Sequence, residues 1–222
     1  MLIPINRICH WNQKAFREKI NQITYNNKYM TMNPLKKFKQ WHTAYTKIAA
    51  TKLPSACCLT SIGSDGYPNS RFVSLKEIIE NTFVITGSLT SRKGIELLAN
   101  PKASLTFWWP ETQQQIRIQG DASQIDQALA NTYFKGRHKE AQIVSHICQQ
   151  GIEIDNIADL TTLFEQKKIE FKNIDIPKPN DWSGFYIDPK HIEFMEFKSN
   201  RFHYRELYTK EQNSWSKMIL QP

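Results

Sequence analysis

The spacing of apolar residues changes period several times along this chain, and each change marks an element boundary. Residues 1–32 are polar with no clear period and read as a loosely ordered arm. Asn33-Pro34 then signals a helix start, with Asn33 as cap and Pro34 in the first turn, and Leu35, Phe38, Trp41 and Tyr45 follow at helical spacing. β-rich runs come next. Ala56 to Ile62 ends in the turn signal Gly63-Ser64-Asp65-Gly66, and Asn69 to Lys76 is its hairpin partner. Thr82 to Gly87, Ala103 to Trp109 and Gln114 to Gly120 are three more strands, with a short helix, Arg92 to Leu98, closed by Asn100-Pro101. Gln124 to Lys135, Lys139 to Gln149 and Asp159 to Lys168 return to helical spacing. Past Pro177 and Pro179 the chain resumes strands at Gly184 to Ile187, His191 to Phe197, Phe202 to Tyr208 and Trp215 to Leu220. The pattern predicts one mainly β domain with helices (α+β) over residues 33–222, an antiparallel barrel with helices packed outside.

Composition narrows the class. With 222 residues, 40% of them apolar and 12% aromatic, the chain can bury one sizeable core. No apolar run approaches a membrane span, and Met1 to Arg7 lacks the pattern of a signal peptide, so a soluble, cytoplasmic protein is expected. Cys9, Cys57, Cys58 and Cys148 contain no C-x-x-C, and no histidine falls at zinc-ligand spacing, so neither disulfide nor metal is expected. The formal net charge is +8, but the cations are spread along the chain. The densest runs, Lys36-Lys37-Phe38-Lys39 and Lys167-Lys168, read as solvated helix faces, and no nucleic-acid-binding motif accompanies them. Small anions match this distribution better.

One stretch has the chemistry for an anion. Thr86-Gly87-Ser88-Leu89-Thr90-Ser91-Arg92-Lys93 leaves a strand, crosses a polar loop and enters a helix. Helix N-termini present unpaired N–H groups and partial positive charge. Arginine and lysine usually avoid that turn, so two together call for a compensating anion or for plain solvent. The stretch by itself leaves both open, and neither a Walker A loop nor G-x-G-x-x-G occurs in the chain.

Five segments in order resemble the pyridoxamine 5'-phosphate oxidase family. They are Arg71-Phe72-Val73-Ser74-Leu75-Lys76, Ser91-Arg92-Lys93, Gln115-Ile116-Arg117-Ile118-Gln119-Gly120, Tyr133-Phe134-Lys135-Gly136-Arg137, and the tail from Trp182-Ser183-Gly184 through Glu193-Phe194 to Arg201-Phe202-His203-Tyr204-Arg205. The resemblance spans roughly residues 33–222. It implies an FMN-binding split β-barrel that forms a homodimer, with FMN in clefts shared by the subunits and the segment from about 177 to 222 in dimerisation. By position, Arg71, Arg92 and Lys93 would meet the FMN phosphate, with Phe72, Val73, Ser74, Thr86, Gly87 and Ser91 also on the flavin side. Gln115 would hydrogen-bond the flavin, Gln150 would reach it from the other subunit, and Arg205 would contact it. Lys76, Tyr133 and Arg137 would hold the substrate phosphate, while Arg201 and His203 would cover its pyridine ring as the catalytic pair. The implied reaction converts pyridoxamine or pyridoxine 5'-phosphate to pyridoxal 5'-phosphate with O2, giving H2O2.

The residues carry plainer readings too. Arg71 and Lys76, five apart on a regular strand, would face opposite sides. Tyr133 and Arg137, four apart on a helix, would share a face. His203 between Phe202 and Tyr204 reads equally as a structural histidine. The chain also departs from the family pattern. Met195 stands where the family has tryptophan, Thr86-Gly87 replaces Tyr-Thr, and Ala141 replaces a substrate-phosphate serine. Ile147-Cys148-Gln149-Gln150-Gly151 alters another flavin segment, and the arm lacks an arginine-rich stretch. The flavin half is therefore better matched than the substrate half. A divergent FMN oxidase of the phenazine-biosynthesis kind and a silent flavin or pyridoxal-phosphate binder are the alternatives.

Overall fold

The computed structural model describes residues 33–212 and 214–222; the expected arm, 1–32, and Cys9 lie outside them. Helix α1 (Pro34–Thr46) begins as its sequence signals, with the Asn33 side chain accepting from the N–H groups of Leu35 and Lys36. Nine strands follow: β1 (Ala56–Ile62), β2 (Pro68–Ser74), β3 (Ile78–Ile79), β4 (Thr82–Ser88), β5 (Lys102–Trp109), β6 (Gln114–Gln124), β7 (Trp182–Glu196), β8 (Tyr204–Glu211) and β9 (Ser214–Leu220). Helix α2 (Arg92–Ala99) joins β4 to β5, and α3 (Gln127–Lys135), α4 (Lys139–Ile147) and α5 (Ile157–Glu170) lie between β6 and β7. The fold class is thus as the pattern predicted: an antiparallel sheet with helices, α+β.

The strands form one sheet in the order β2-β1-β5-β6-β7-β4-β3, with β8 on β7 and β9 on β8. Strand β7 organises it. Along one edge β7 pairs with β6 over most of its length; along the other it pairs first with β4 and then with β8. The sequence suggested two strands here, interrupted near Asp188-Pro189. They are one strand with a bulge: Lys190 is the extra residue between His191, which pairs with Gln119, and Pro189, which pairs with Gly120. Gly120 permits it: a Cβ there would lie 2.3 Å from the Asp188 carbonyl oxygen. Past the end of β2, Lys76 N–H donates to the Val84 carbonyl (2.8 Å) and Val84 N–H to that of Glu77 (3.0 Å), which draws the β2 end of the sheet against β4.

Alternate residues of β1, β5, β6 and β7 point inward, so Leu59, Leu105, Phe107, Ile116, Ile118, Ile192 and Phe194 are essentially buried. Helix α1 covers one end, its Phe38 ring edge-on to Phe83 at 5.0 Å and Tyr45 stacked on Trp109 at 5.2 Å. Lys37 is not on a solvated helix face as its sequence run suggested. It pairs with the buried Glu206 on β8, which also binds Lys217 at 2.5 Å, and so ties α1 to the sheet. Cys57 is buried while Cys58 is not, as expected of neighbours on a strand, and both are free thiols. Among the described residues no helix is long and apolar enough to cross a membrane.

Candidate active site

A cleft of about 550 Å3 opens between the β2–β4 end of the sheet and helix α4. Among the described residues four cations line it: Arg71, Lys76, Lys93 and Arg137. Phe72, Val73, Ser74, Thr86, Gly87 and Gln150 also border it. A slightly larger groove, about 620 Å3, runs along α1 past Lys36, Lys39 and Lys47, but none of the expected site residues lines it.

Arg71 and Lys76 both reach the cleft, contrary to strand parity. Strand β2 stops at Ser74, so the alternation that would separate them is broken before Lys76. Lys93 leaves the first turn of α2 and passes over Gly87, where a Cβ would lie 2.9 Å from Lys93 Cε. Its ammonium donates to Gln150 Oε1 (2.8 Å) and Ser91 Oγ (3.1 Å). Ser91 also caps the helix, accepting weakly from Gly94 N–H. Gln150, expected from a second subunit, therefore sits beside Lys93 of its own chain. Arg92 points away: its side chain is 64% exposed, with Nε on Glu96 (2.9 Å) and the guanidinium 3.9 Å from Asp65.

Burial, and then the neighbouring Arg71, holds the Lys93 amine below the ordinary lysine value. Burial and then Arg137 do the same to Lys76. Neither lysine, nor Arg137, has an acidic partner among the described residues. Arg137 lies over the Trp182 ring at 5.2 Å, its terminal nitrogen 3.3 Å from the Ala141 carbonyl and 3.5 Å from Ser145 Oγ. Its Nε is buried without a hydrogen-bond partner among the described residues. A cleft with this charge excess and an orphaned guanidinium nitrogen suits anionic ligands.

Tyr133 and Arg137 do not share a helix face. Helix α3 ends at Lys135 and Gly136 caps it, so Arg137 turns into the cleft while the Tyr133 hydroxyl donates to Glu77 instead. Four further expected residues lie elsewhere. Gln115, Met195 and Arg205 form a cross-strand row on β6, β7 and β8. Gln115 touches the Met195 sulfur at 4.0 Å, and Arg205 pairs with the buried Glu193 at 2.8 Å. Arg201 and His203 sit in the β7–β8 turn, Arg201 with a left-handed backbone (φ 68°). His203 packs on Phe197 (4.8 Å) and accepts from Lys198 N–H. None of these four lines the cleft.

Comparison with known proteins gives this arrangement a family. The model for "Pyridoxamine 5'-phosphate oxidase" matches residues 47–168, and that for the "Pyridoxine 5'-phosphate oxidase C-terminal dimerisation region" matches 182–222. The chain belongs to the pyridoxamine 5'-phosphate oxidase family. The pyridoxine/pyridoxamine 5'-phosphate oxidase of Thermosynechococcus vestitus is 34% identical over 86% of this chain and 89% of its own. That of Leptospira biflexa is 29% identical over 98% and 100%. Among solved structures, PhzG of Burkholderia lata in complex with tetrahydrophenazine-1-carboxylic acid has a TM-score of 0.79 at 28% identity, over 86% of this chain and 93% of that one. A pyridoxamine 5'-phosphate oxidase-related, FMN binding protein of Nostoc punctiforme has a TM-score of 0.71 at 16% identity, over 87% and 100%, and so shares the fold.

Within this family frame two residues stand out that sequence reasoning passed over. Ser145 brings a hydroxyl to the cleft one helical turn beyond Ala141, where the expected serine is missing. Glu96 carries a buried carboxylate that binds both Arg71 and Arg92. Neither stands out in the sequence, because each is one of several polar residues on its helix and neither has a local motif.

Proposed function

We propose that this chain oxidises pyridoxamine or pyridoxine 5'-phosphate to pyridoxal 5'-phosphate, using FMN and dioxygen and releasing hydrogen peroxide. Family membership makes it an FMN-dependent oxidoreductase; the substrate is the step beyond. One observation carries that step: two cation pairs, Arg71 with Lys93 and Lys76 with Arg137, share one cleft, and among the described residues only Arg71 of the four has an acidic partner. Two phosphate monoesters fit two such pairs.

In this reading Arg71, Lys93 and the Ser91 helix start take the cofactor phosphate, while Val73, Ser74, Thr86 and Gly87 border the same ligand. Lys76 and Arg137 take the substrate phosphate, with Ser145 beside them. Two anchored phosphates fix the distance between the substrate C4' carbon and the ring that accepts its hydride. When bound, the flavin supplies the two-electron acceptor and the reaction with dioxygen. Gln115, Arg205, Arg201 and His203 then come from a second copy of the chain, a homodimer that the matched dimerisation region supports. Arg201 and His203 would close over the pyridine ring and exclude water.

The likeness to PhzG, together with Ala141, favours one other reading, an oxidase of a phenazine-type carboxylate. A carboxylate carries one negative charge, which would leave one of the Lys76–Arg137 pair uncompensated; a phosphate dianion balances both. Purified protein decides between them. Yellow protein that forms pyridoxal 5'-phosphate from pyridoxine 5'-phosphate in air is the expected result. Colourless protein that FMN cannot reconstitute would sink the flavin reading, and flavin-loaded protein that turns over only an aromatic carboxylate would sink the substrate.

A further inference from the structure

We propose that Glu96 is a positioning residue for the cofactor phosphate, acting through Arg71; the inference rests on the cofactor placement proposed above. Glu96 lies in the second turn of α2 and its side chain is 6% exposed. Its Oε2 accepts from Ser61 Oγ (2.5 Å) and from an Arg71 terminal nitrogen (3.0 Å). Its Oε1 accepts from Asn69 Nδ2 (2.6 Å) and Arg92 Nε (2.9 Å). One carboxylate thus gathers donors from β1, β2 and α2.

Arg71 is held on that side from three directions. Its other terminal nitrogen donates to Ser61 Oγ and to the Asn69 carbonyl (2.8 Å). A free arginine samples many rotamers, and ordering it on ligand arrival would cost affinity. Here contacts within the chain itself order the side chain, and Arg71 lines the cleft. Burial alone would raise the Glu96 carboxyl, but hydrogen bonds from Ser61, Arg92 and Arg71 outweigh it and hold it below the ordinary carboxylate value. The group is therefore ionised at neutral pH, and its brace on Arg71 is a charged one. Glu96 does not line the cleft, so its effect on a ligand must pass through the arginine.

The test compares FMN with riboflavin, which has the same ring system without the phosphate. Glu96→Gln keeps the size of the side chain but removes its charge and turns one acceptor into a donor, against groups that themselves donate: Ser61 and Arg71 on one side, Asn69 and Arg92 on the other. FMN affinity, read by quenching of flavin fluorescence, should fall about tenfold to a hundredfold, the loss expected for one charge-assisted contact. Riboflavin affinity should change by less than about twofold. A purely architectural role would weaken both ligands alike, and that result would overturn the proposal. So would an unchanged FMN affinity. In an Arg71→Ala background, Glu96→Gln should add nothing further; additive losses would show that Glu96 does not act through Arg71. If Glu96→Gln does not fold, Glu96→Asp, which retracts the carboxylate by one methylene, makes the same comparison. Wild-type protein that binds no FMN would overturn the cofactor placement and this inference together. Wild-type binding with an unaffected variant would overturn this inference alone.

Discussion

The two cation pairs of the cleft are built differently. Arg71 is clamped by Glu96, Ser61 and Asn69, and Lys93 by Ser91 and Gln150. Among the described residues Arg137 has a long contact to the Ala141 carbonyl, a marginal one to Ser145, and the face of Trp182. Its backbone, by contrast, is well fixed, since Gln142 Nε2 donates to the carbonyls of Phe134, Lys135 and Arg137. One seat is preorganised down to the guanidinium; the other is preorganised only to the main chain. A resident cofactor gains from the first kind, because the ordering cost is met during folding. A substrate that must enter and leave is served by the second, where side chains settle onto each arriving ligand.

The largest effect should come from emptying the braced seat. Arg71→Ala with Lys93→Ala removes two charge-assisted contacts, each worth about 1.5–3 kcal/mol, so FMN affinity should fall roughly a hundredfold to ten-thousandfold. Flavin content after gel filtration reads this directly. Arg92→Ala, whose side chain is mostly exposed, should cost less than about fivefold. A reversal of that order would place the phosphate at the outer arginine instead.

The second seat should respond in substrate kinetics, not in flavin content. Arg137→Ala should raise KM for pyridoxine 5'-phosphate about tenfold to a hundredfold and leave FMN bound. It should also move a pH limb. On the proposed placement the substrate phosphate needs Lys76 protonated, so kcat/KM should fall as pH rises through the Lys76 pKa. Burial first and Arg137 second keep that pKa below the usual lysine value. Removing Arg137 relieves the second cause, so the alkaline limb should shift to higher pH. A limb that stays put, or moves down, would show that Lys76 does not serve the substrate.

Local signals carried most of the fold and the braced seat's outer parts. Asn33 before Pro34, Ser91 before Arg92 and the Gly63–Gly66 turn each encode a boundary in a few adjacent residues, and the structure places boundaries there. What misled was the assumption that a period continues. Arg71 and Lys76 share the cleft because β2 ends between them, and Tyr133 and Arg137 part because Gly136 closes α3. The single strand β7 was invisible for a related reason: Pro189 looks like a break, and its compensation, Gly120, lies in another strand. Glu96 was beyond local reading altogether, since Arg71, Asn69 and Ser61 precede it by 25, 27 and 35 residues. Packing across such separations decides which charge braces which.

A smaller effect, at Gly87, is the most pointed, because it should separate stability from binding. Gly87 sits in β4 without a left-handed φ, so alanine fits its backbone, and replacing a strand glycine by alanine is worth about 0.5–1 kcal/mol of stability. The added methyl would meet Lys93 Cε at 2.9 Å and Nζ at 3.1 Å. Those atoms end a flexible side chain, so the lysine should yield and the fold should not. Displaced, the ammonium loses its place between Ser91 and Gln150, and with it part of its hold on the phosphate. Gly87→Ala should therefore melt at the same temperature as wild type or slightly higher, while FMN affinity drops by about threefold to tenfold, less than one full charged contact. Unchanged FMN affinity would mean that Lys93 finds the phosphate from any rotamer. The bracing by Ser91 and Gln150 would then be incidental, and the contrast between the two seats would rest on Arg71 alone.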